Sequence, residues 1–305
     1  GPLSIADATT EAAVCNAYDK HWKITRQEVE DFYLGSGPTQ VISEWPGNGI
    51  DGGTFAGYDS EIAPFVDGNG NGIYEPDLRD DNGLAIEYPA YDITGDLGCD
   101  ARLFGDQTLW WVFNDNGNIH TETGGFPLGM EIRAQTFEFA TNNALNNMTF
   151  YNYELINRST FTVNETYFGV WTDPDIGNYS DDYAGCDVGR GLGYVYNGDE
   201  DDETTFGYGA NPPAIGVDFF EGPFRDPNGI DDTSDFCVDA RAASGLGFGD
   251  GIIDNERLGM ARFIYYTSTG PNYANDPDNG QHVYNYLRGI WKDGTEMIYG
   301  GNGYG

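Results

Sequence analysis

The fold class this sequence predicts is mainly β: an antiparallel β-sandwich with long calcium-binding loops and one or two short helices. Three observations predict it. Several segments alternate apolar and polar residues with period two, as half-buried strands do. Between them lie turn-forming stretches that draw on 44 glycines in 305 residues and on many Asn and Asp. The charge is one-sided, with 14 Lys and Arg against 50 Asp and Glu and a formal net charge of −36.

That charge argues against binding to nucleic acid or to an anionic membrane surface, and it makes divalent cations the natural partners. Acidic, weakly hydrophobic chains are often disordered, but disordered chains are poor in aromatics and this one holds 6 Trp, 21 Tyr and 18 Phe. A folded, soluble protein is expected. No apolar run approaches the roughly 18 residues of a membrane span, so no membrane insertion is expected, and the opening residues lack the charged and apolar regions of a signal peptide. Cys15, Cys99, Cys186 and Cys237 are far apart and form no C-x-x-C pair. They fit an extracellular protein with at least one disulfide. Four small buried thiols are the alternative, and the connectivity stays open.

In chain order, residues 15–34 are the best helix candidate: Thr25-Arg-Gln-Glu28 has the form of a capping box, followed by Val29, Phe32 and Tyr33 at helical spacing. The chain is then turn-rich to Asp106, and so long a stretch needs something besides a core to hold it. From there the texture changes. Thr108–Asn114 reads as a buried strand. In Met130–Phe139, Met130, Ile132 and Ala134 alternate with Glu131, Arg133 and Gln135, which predicts one buried and one wet face. Met148–Ile156 and Thr166–Trp171 repeat the strand texture, as do shorter stretches at 215–220 and 260–267, and 284–291 reads as a short helix. Residues 1–107 are therefore expected to form a helix and calcium-loop segment packed on the sheet, and 108–305 a sandwich with long acidic loops. The two would make one continuous unit of a larger protein.

The most informative stretch is Phe65-Val-Asp-Gly-Asn-Gly-Asn-Gly-Ile-Tyr-Glu-Pro-Asp77. Calcium loops place oxygen side chains at positions 1, 3 and 5 and a backbone carbonyl at 7, with a carboxylate further on. Asp67, Asn69, Asn71 and the Ile73 carbonyl fit that spacing, and Glu75 and Asp77 are available for the last role. Position 12 is Leu78, so this is not an EF-hand; the bland reading is a solvated glycine-rich turn. A second candidate is Asp173, Asp175, Asp181 and Asp182, which with Asp187 would repel unless splayed or neutralised. Asp250, Asp254 and Glu256 make a third, and for both of these a solvated charge run is the alternative. Asp226, Asn228 and Asp231 are weaker, and Asp199–Glu203 reads as a solvated loop tip.

Catalysis is poorly signalled. His21, His120 and His282 are isolated, and the chain has no zinc-protease, nucleophile-elbow, phosphate-loop or dinucleotide pattern. Trp110, Trp111 and Trp171 are expected in the sheet core rather than on a sugar-stacking surface. Sequons at Asn147, Asn157, Asn164 and Asn178 arise readily by chance in an Asn-rich chain.

Asp67–Pro76, Gly105–Asp115, Thr149–Arg158, Trp171–Gly177, Asp181–Asp187 and Leu287–Gly294 together resemble segments of large secreted surface proteins of Bacteroidota. Proteins of that kind typically reach the surface by type IX secretion, directed by a C-terminal sorting domain that is not found in these residues. The resemblance implies an extracellular or cell-surface location and the secretion machinery as a partner, and it carries over no catalytic residue. The expected function is a non-enzymatic, calcium-stabilised structural or adhesion module that meets surface glycans or other surface proteins. Two alternatives stay open: a carbohydrate-binding or carbohydrate-active domain, and a subunit of an extracellular filament or sheath.

Overall fold

Thr25 closes a strand and opens a helix. The computed structural model, which describes residues 1–50, 55–98, 101–225, 227–233, 245–269 and 271–297, splits the helix expected at 15–34 into three elements. These are α1 (Ala12–Ala17), β1 (Trp22–Thr25) and α2 (Arg26–Tyr33). The capping box forms as read. The Thr25 hydroxyl accepts the Glu28 N–H at 3.2 Å, and the Glu28 carboxylate accepts the Thr25 N–H at 2.9 Å. What the helical reading missed is the strand before it, where buried Trp22 and Ile24 flank exposed Lys23 with period two.

The chain divides into two units, residues 1–164 and 165–305. The boundary thus falls at 164/165 rather than at 107/108, because the strands after 107 pair back onto the N-terminal segment. In the first unit β1, β4 (Gln107–Asn114), β5 (Met130–Glu138) and β6 (Phe150–Asn157) form an antiparallel sheet in the order β1-β4-β5-β6. A short ladder joins β2 (Phe65–Asp67) to β3 (Glu87–Pro89), and α3 spans Gln40–Ser43. Thr108, Trp110 and Val112 present one sheet face to a core that includes Trp22, Ile24, Phe32, Ile42, Trp45 and Tyr91. Rings interlock there, Trp110 lying 5.7 Å from Trp22 and 6.1 Å from Trp45 between centroids. Each such side chain contributes on the order of 1.5–3 kcal/mol by leaving water.

The faces of β5 depart from the expectation: Ala134 is buried as expected, but Glu131 and Gln135 on the supposedly wet face are buried as well. Register pairs Trp110 with Gln135, Val112 with Arg133 and Asn114 with Glu131, so the polar-looking set shares the core side. Glu131 is fully buried. Its carboxylate meets Arg133 Nη2 at 2.9 Å and Arg158 Nη2 at 3.1 Å, and accepts the Leu3 N–H at 2.9 Å. Asp59 closes the network, 2.9 Å from Arg133 and 2.7 Å from Arg158. The interior tolerates these charges because they satisfy one another. The opposite sheet face carries Phe113, Tyr151, Tyr153 and Leu155, all exposed.

In the second unit β7 (Asp182–Asp187), β8 (Leu192–Asn197) and β11 (Ala214–Asp218) form an antiparallel sheet in the order β11-β8-β7. The minimal strands β9 (Asp201–Asp202) and β10 (Gly209–Ala210) pair beside it in sequence. The helix expected at 284–291 is α4 (Gly280–Leu287), capped by the Asn279 side chain, which accepts the His282 N–H at 3.1 Å. The strands expected at 166–171 and 260–267 do not form, since neither stretch enters a ladder. Trp110 lies in the core as expected. Trp111 points to the other sheet face against His21, and Trp171 is 68% exposed, its indole N–H donating to the Tyr266 hydroxyl at 2.6 Å. Among the described residues of this unit the buried hydrophobics are Ile176 and Tyr286, whereas Asn197, Asp202, Glu256 and Asn285 are buried polar residues. Cys15 and Cys186 are free thiols; Cys99 and Cys237 lie outside the described residues. No helix among the described residues is long and apolar enough to cross a membrane.

Candidate metal centre

The β2–β3 ladder sets Asp67 directly opposite Glu87. From Asp67 the chain curls tightly, with Gly70 and Gly72 at φ +72° and +73°, a conformation that suits glycine. Gly68 permits a close approach of another kind: a side chain there would run into the Ile86 carbonyl. The Asp67 carboxylate caps the curl by accepting the N–H groups of Gly70 at 2.8 Å, Asn71 at 3.2 Å and Gly72 at 2.7 Å. Asn69 and Asn71 each turn an oxygen to the N–H two residues on, at 2.9 and 2.7 Å.

Their amide nitrogens face the carboxylates. Asn69 Nδ2 donates to Glu87 Oε1 at 2.7 Å, and Asn71 Nδ2 donates to Glu75 Oε2 at 2.8 Å. The Glu75 N–H reaches the other Glu87 oxygen at 2.5 Å. Asn69 and Asn71 are exposed, and their amides link the curl to Glu87 and Glu75, while the oxygens of Asp67, Asn69 and Asn71 are taken by backbone N–H groups. Asp77 is exposed, and the Ile73 side chain is 50% exposed. Glu87, absent from the sequence reading, is fully buried. Burial pushes its carboxyl above the ordinary range; the Glu75 N–H opposes that, and the charges of Glu75 and Asp67 add to it. Glu87 lies beyond the loop in sequence and only the ladder register brings it in, so its one sequence signal is a Glu set between Ile86 and Tyr88.

The second predicted group separates. Asp173 and Asp175 are exposed, and Asp187 sits at the far end of β7, ion-paired with Arg190. Asp181 and Asp182 remain together at the start of β7, where Asp182 stands opposite Asn197. Asp202, expected in a solvated tip, is instead almost fully buried, accepting the N–H groups of Asn178 at 3.0 Å and Tyr208 at 2.7 Å.

The third group is spread over separate backbone partners. Asp250 accepts the Ile252 N–H at 2.8 Å, Asp254 the Gly229 N–H at 2.9 Å and buried Glu256 the Asp232 N–H at 2.7 Å. Asp231 caps Gly249 and Gly251, and Arg225 lies 3.5 Å from Asp232. A guanidinium therefore already serves part of this loop pair. Asp226 lies outside the described residues.

The histidines stay apart: His120 Nε2 contacts the Asp115 carbonyl oxygen at 2.7 Å, and His282 is 3.4 Å from Asp278. Among the described residues no group of three or more His, Cys, Asp or Glu side chains is arranged to hold a metal ion. Asn amides and backbone oxygens would have to complete any site, as they do in calcium loops. No family model, curated protein or solved structure matches the chain.

Proposed function

We propose that the chain is a non-enzymatic extracellular module, structural or adhesive, whose acidic loops are locked by calcium within a larger exported surface protein. The observation that carries this reading is the meeting of Asp67, Glu75 and buried Glu87 around the Asn69 and Asn71 amides. For calcium to be held here, the Asn69 and Asn71 oxygens must leave the Asn71 and Ile73 N–H groups they now accept from and turn toward Glu87 and Glu75, a cost that the ion's charge would offset. Calcium would then neutralise carboxylates that otherwise repel, and its binding free energy would add to folding stability. The sandwich belongs to this reading as its finer architecture. Export by type IX secretion rests on the resemblance described above.

Thermal melting in calcium and in chelator tests the proposal. Calcium at about 100 times its dissociation constant should add about 2.7 kcal/mol, roughly 5–10 °C in Tm for a unit of this size. The effect should shrink in Asp67→Asn. A melt indifferent to chelator would remove the reading.

One observation favours carbohydrate binding as a second reading. Tyr151 and Tyr153 lie nearly parallel on the exposed sheet face, 6.3 Å apart with 3° between their planes, a platform suited to sugar rings. Retention on insoluble polysaccharide, lost in Tyr153→Ala, would support it; equal retention of both proteins would dismiss it.

A further inference from the structure

At one end of the β7–β8 ladder three side-chain oxygens are buried without any hydrogen-bond partner: Asp181 Oδ1, Asp182 Oδ1 and Asn197 Oδ1. Asp182 and Asn197 are register partners, and the Gly198 N–H, next to Asn197, binds the Asp181 carbonyl at 2.9 Å, so all three belong to one corner. Asn197 is only 6% exposed, and its amide nitrogen is already engaged with the Asp199 carbonyl at 3.3 Å, which leaves its oxygen alone. Buried acceptors are rarely orphaned in folded proteins.

What the corner lacks can be read from its chemistry. Water donates hydrogen bonds to such acceptors but adds no positive charge. The other Asp182 oxygen accepts the Ile176 N–H at 3.1 Å, and Asp202 accepts the Asn178 N–H at 3.0 Å, so two acidic side chains are held at this corner with no cationic side chain among their hydrogen-bond partners here. Gly177 keeps the corner tight, since a side chain there would strike the Asp202 carboxylate. A hard cation answers every feature at once, because it accepts oxygen ligands only and compensates several carboxylates together.

We propose that Asp181, Asp182 and Asn197 form a calcium-type divalent-cation site, backed by the charge of buried Asp202 and completed by water. This site shares the calcium chemistry of the reading above but none of its residues, and only its two aspartates figure among the residues expected from sequence. Among the described residues of the second unit, the buried side chains are mostly polar, and this corner lies among them. Cation binding there would be coupled to the folding of the β7–β8 pair.

Residue-resolved NMR of the full chain, dialysed against chelator and titrated with calcium, tests the assignment. The amides of Ile176 and Gly198 and the Asn197 side-chain amide should shift and saturate. In isosteric Asp182→Asn the affinity read from those shifts should fall about tenfold or more, while shifts at Gly70–Gly72 stay as in the parent. Should Asp182→Asn disturb the strand pair in chelator, Asp181→Asn at its edge carries the same expectation. Shifts absent at millimolar calcium would overturn the site, as would shifts unchanged by both variants, or shifts that follow pH alone. Failure confined to Gly70–Gly72 would count against the β2–β3 loop instead.

Discussion

The two halves of this chain solve one problem by different means. Residues 1–164 bury Trp22, Ile24, Phe32, Ile42, Trp45, Tyr91 and Trp110 against a four-stranded sheet, and even their buried ions close on one another through Arg133 and Arg158. Residues 165–305 have sheets of similar kind, but their described interior is Asn197, Asp202, Glu256 and Asn285 with only Ile176 and Tyr286 as apolar company. A strand ladder satisfies backbone groups in both. It does not supply the apolar burial that offsets chain entropy, and the described residues of the second unit bury little apolar surface. Bound cations are the further source of cohesion we propose, and the comparison teaches that secondary-structure content alone does not reveal what holds a unit together.

The contrast can be attacked first from the side of the core. Trp110→Ala should destabilise the first unit by about 3–5 kcal/mol, equally in calcium and in chelator, as read by urea denaturation. A cost that vanished on adding calcium would erase the distinction between the halves. The next effect is smaller and pH-dependent. Burial, the largest influence on Asp59, raises its carboxyl, but the Arg158 and Glu61 hydrogen bonds and the Arg133 charge prevail and hold it below the ordinary carboxylate value. A depressed acid contributes stability that is complete above the unfolded-state value of about 3.9 and is lost as pH falls through the folded one. Urea midpoints between neutral pH and that acid range should therefore decline, and the decline should be shallower in Asp59→Asn. An identical slope in both proteins would show that the ion network does not stabilise this unit.

How much of this was legible in the sequence follows from the range of each interaction. The capping box at Thr25 and Glu28 is local, as is the curl at Asp67, Asn69 and Asn71, and both appear where the spacing put them. The strand at 130–138 was legible, but its inward face was not. Glu131 and Arg133 read as wet until Asp59 and Arg158, distant in sequence, are brought beside them. Glu87, Asn197 and Asp202 escaped for the same reason, because ladder register and strand pairing place them. Trp171 misled in the opposite direction: a strand-like run without a partner ladder leaves its indole in solvent. The smallest prediction concerns the most legible feature. Thr25→Ala should cost about 1 kcal/mol, measured as a urea-midpoint shift at constant m-value, and a change indistinguishable from zero would mean that packing alone fixes the start of α2.

Hydrogen exchange by mass spectrometry on the full chain, with calcium and then with chelator, tests most directly whether the halves are held by different forces. Peptides spanning 182–218 should lose most of their protection when calcium is removed, whereas those spanning 107–138, held by the aromatic core, should lose only the smaller share that calcium at the β2–β3 loop adds to their unit. Equal loss in both regions, or protection of 182–218 that survives chelation intact, would contradict the account.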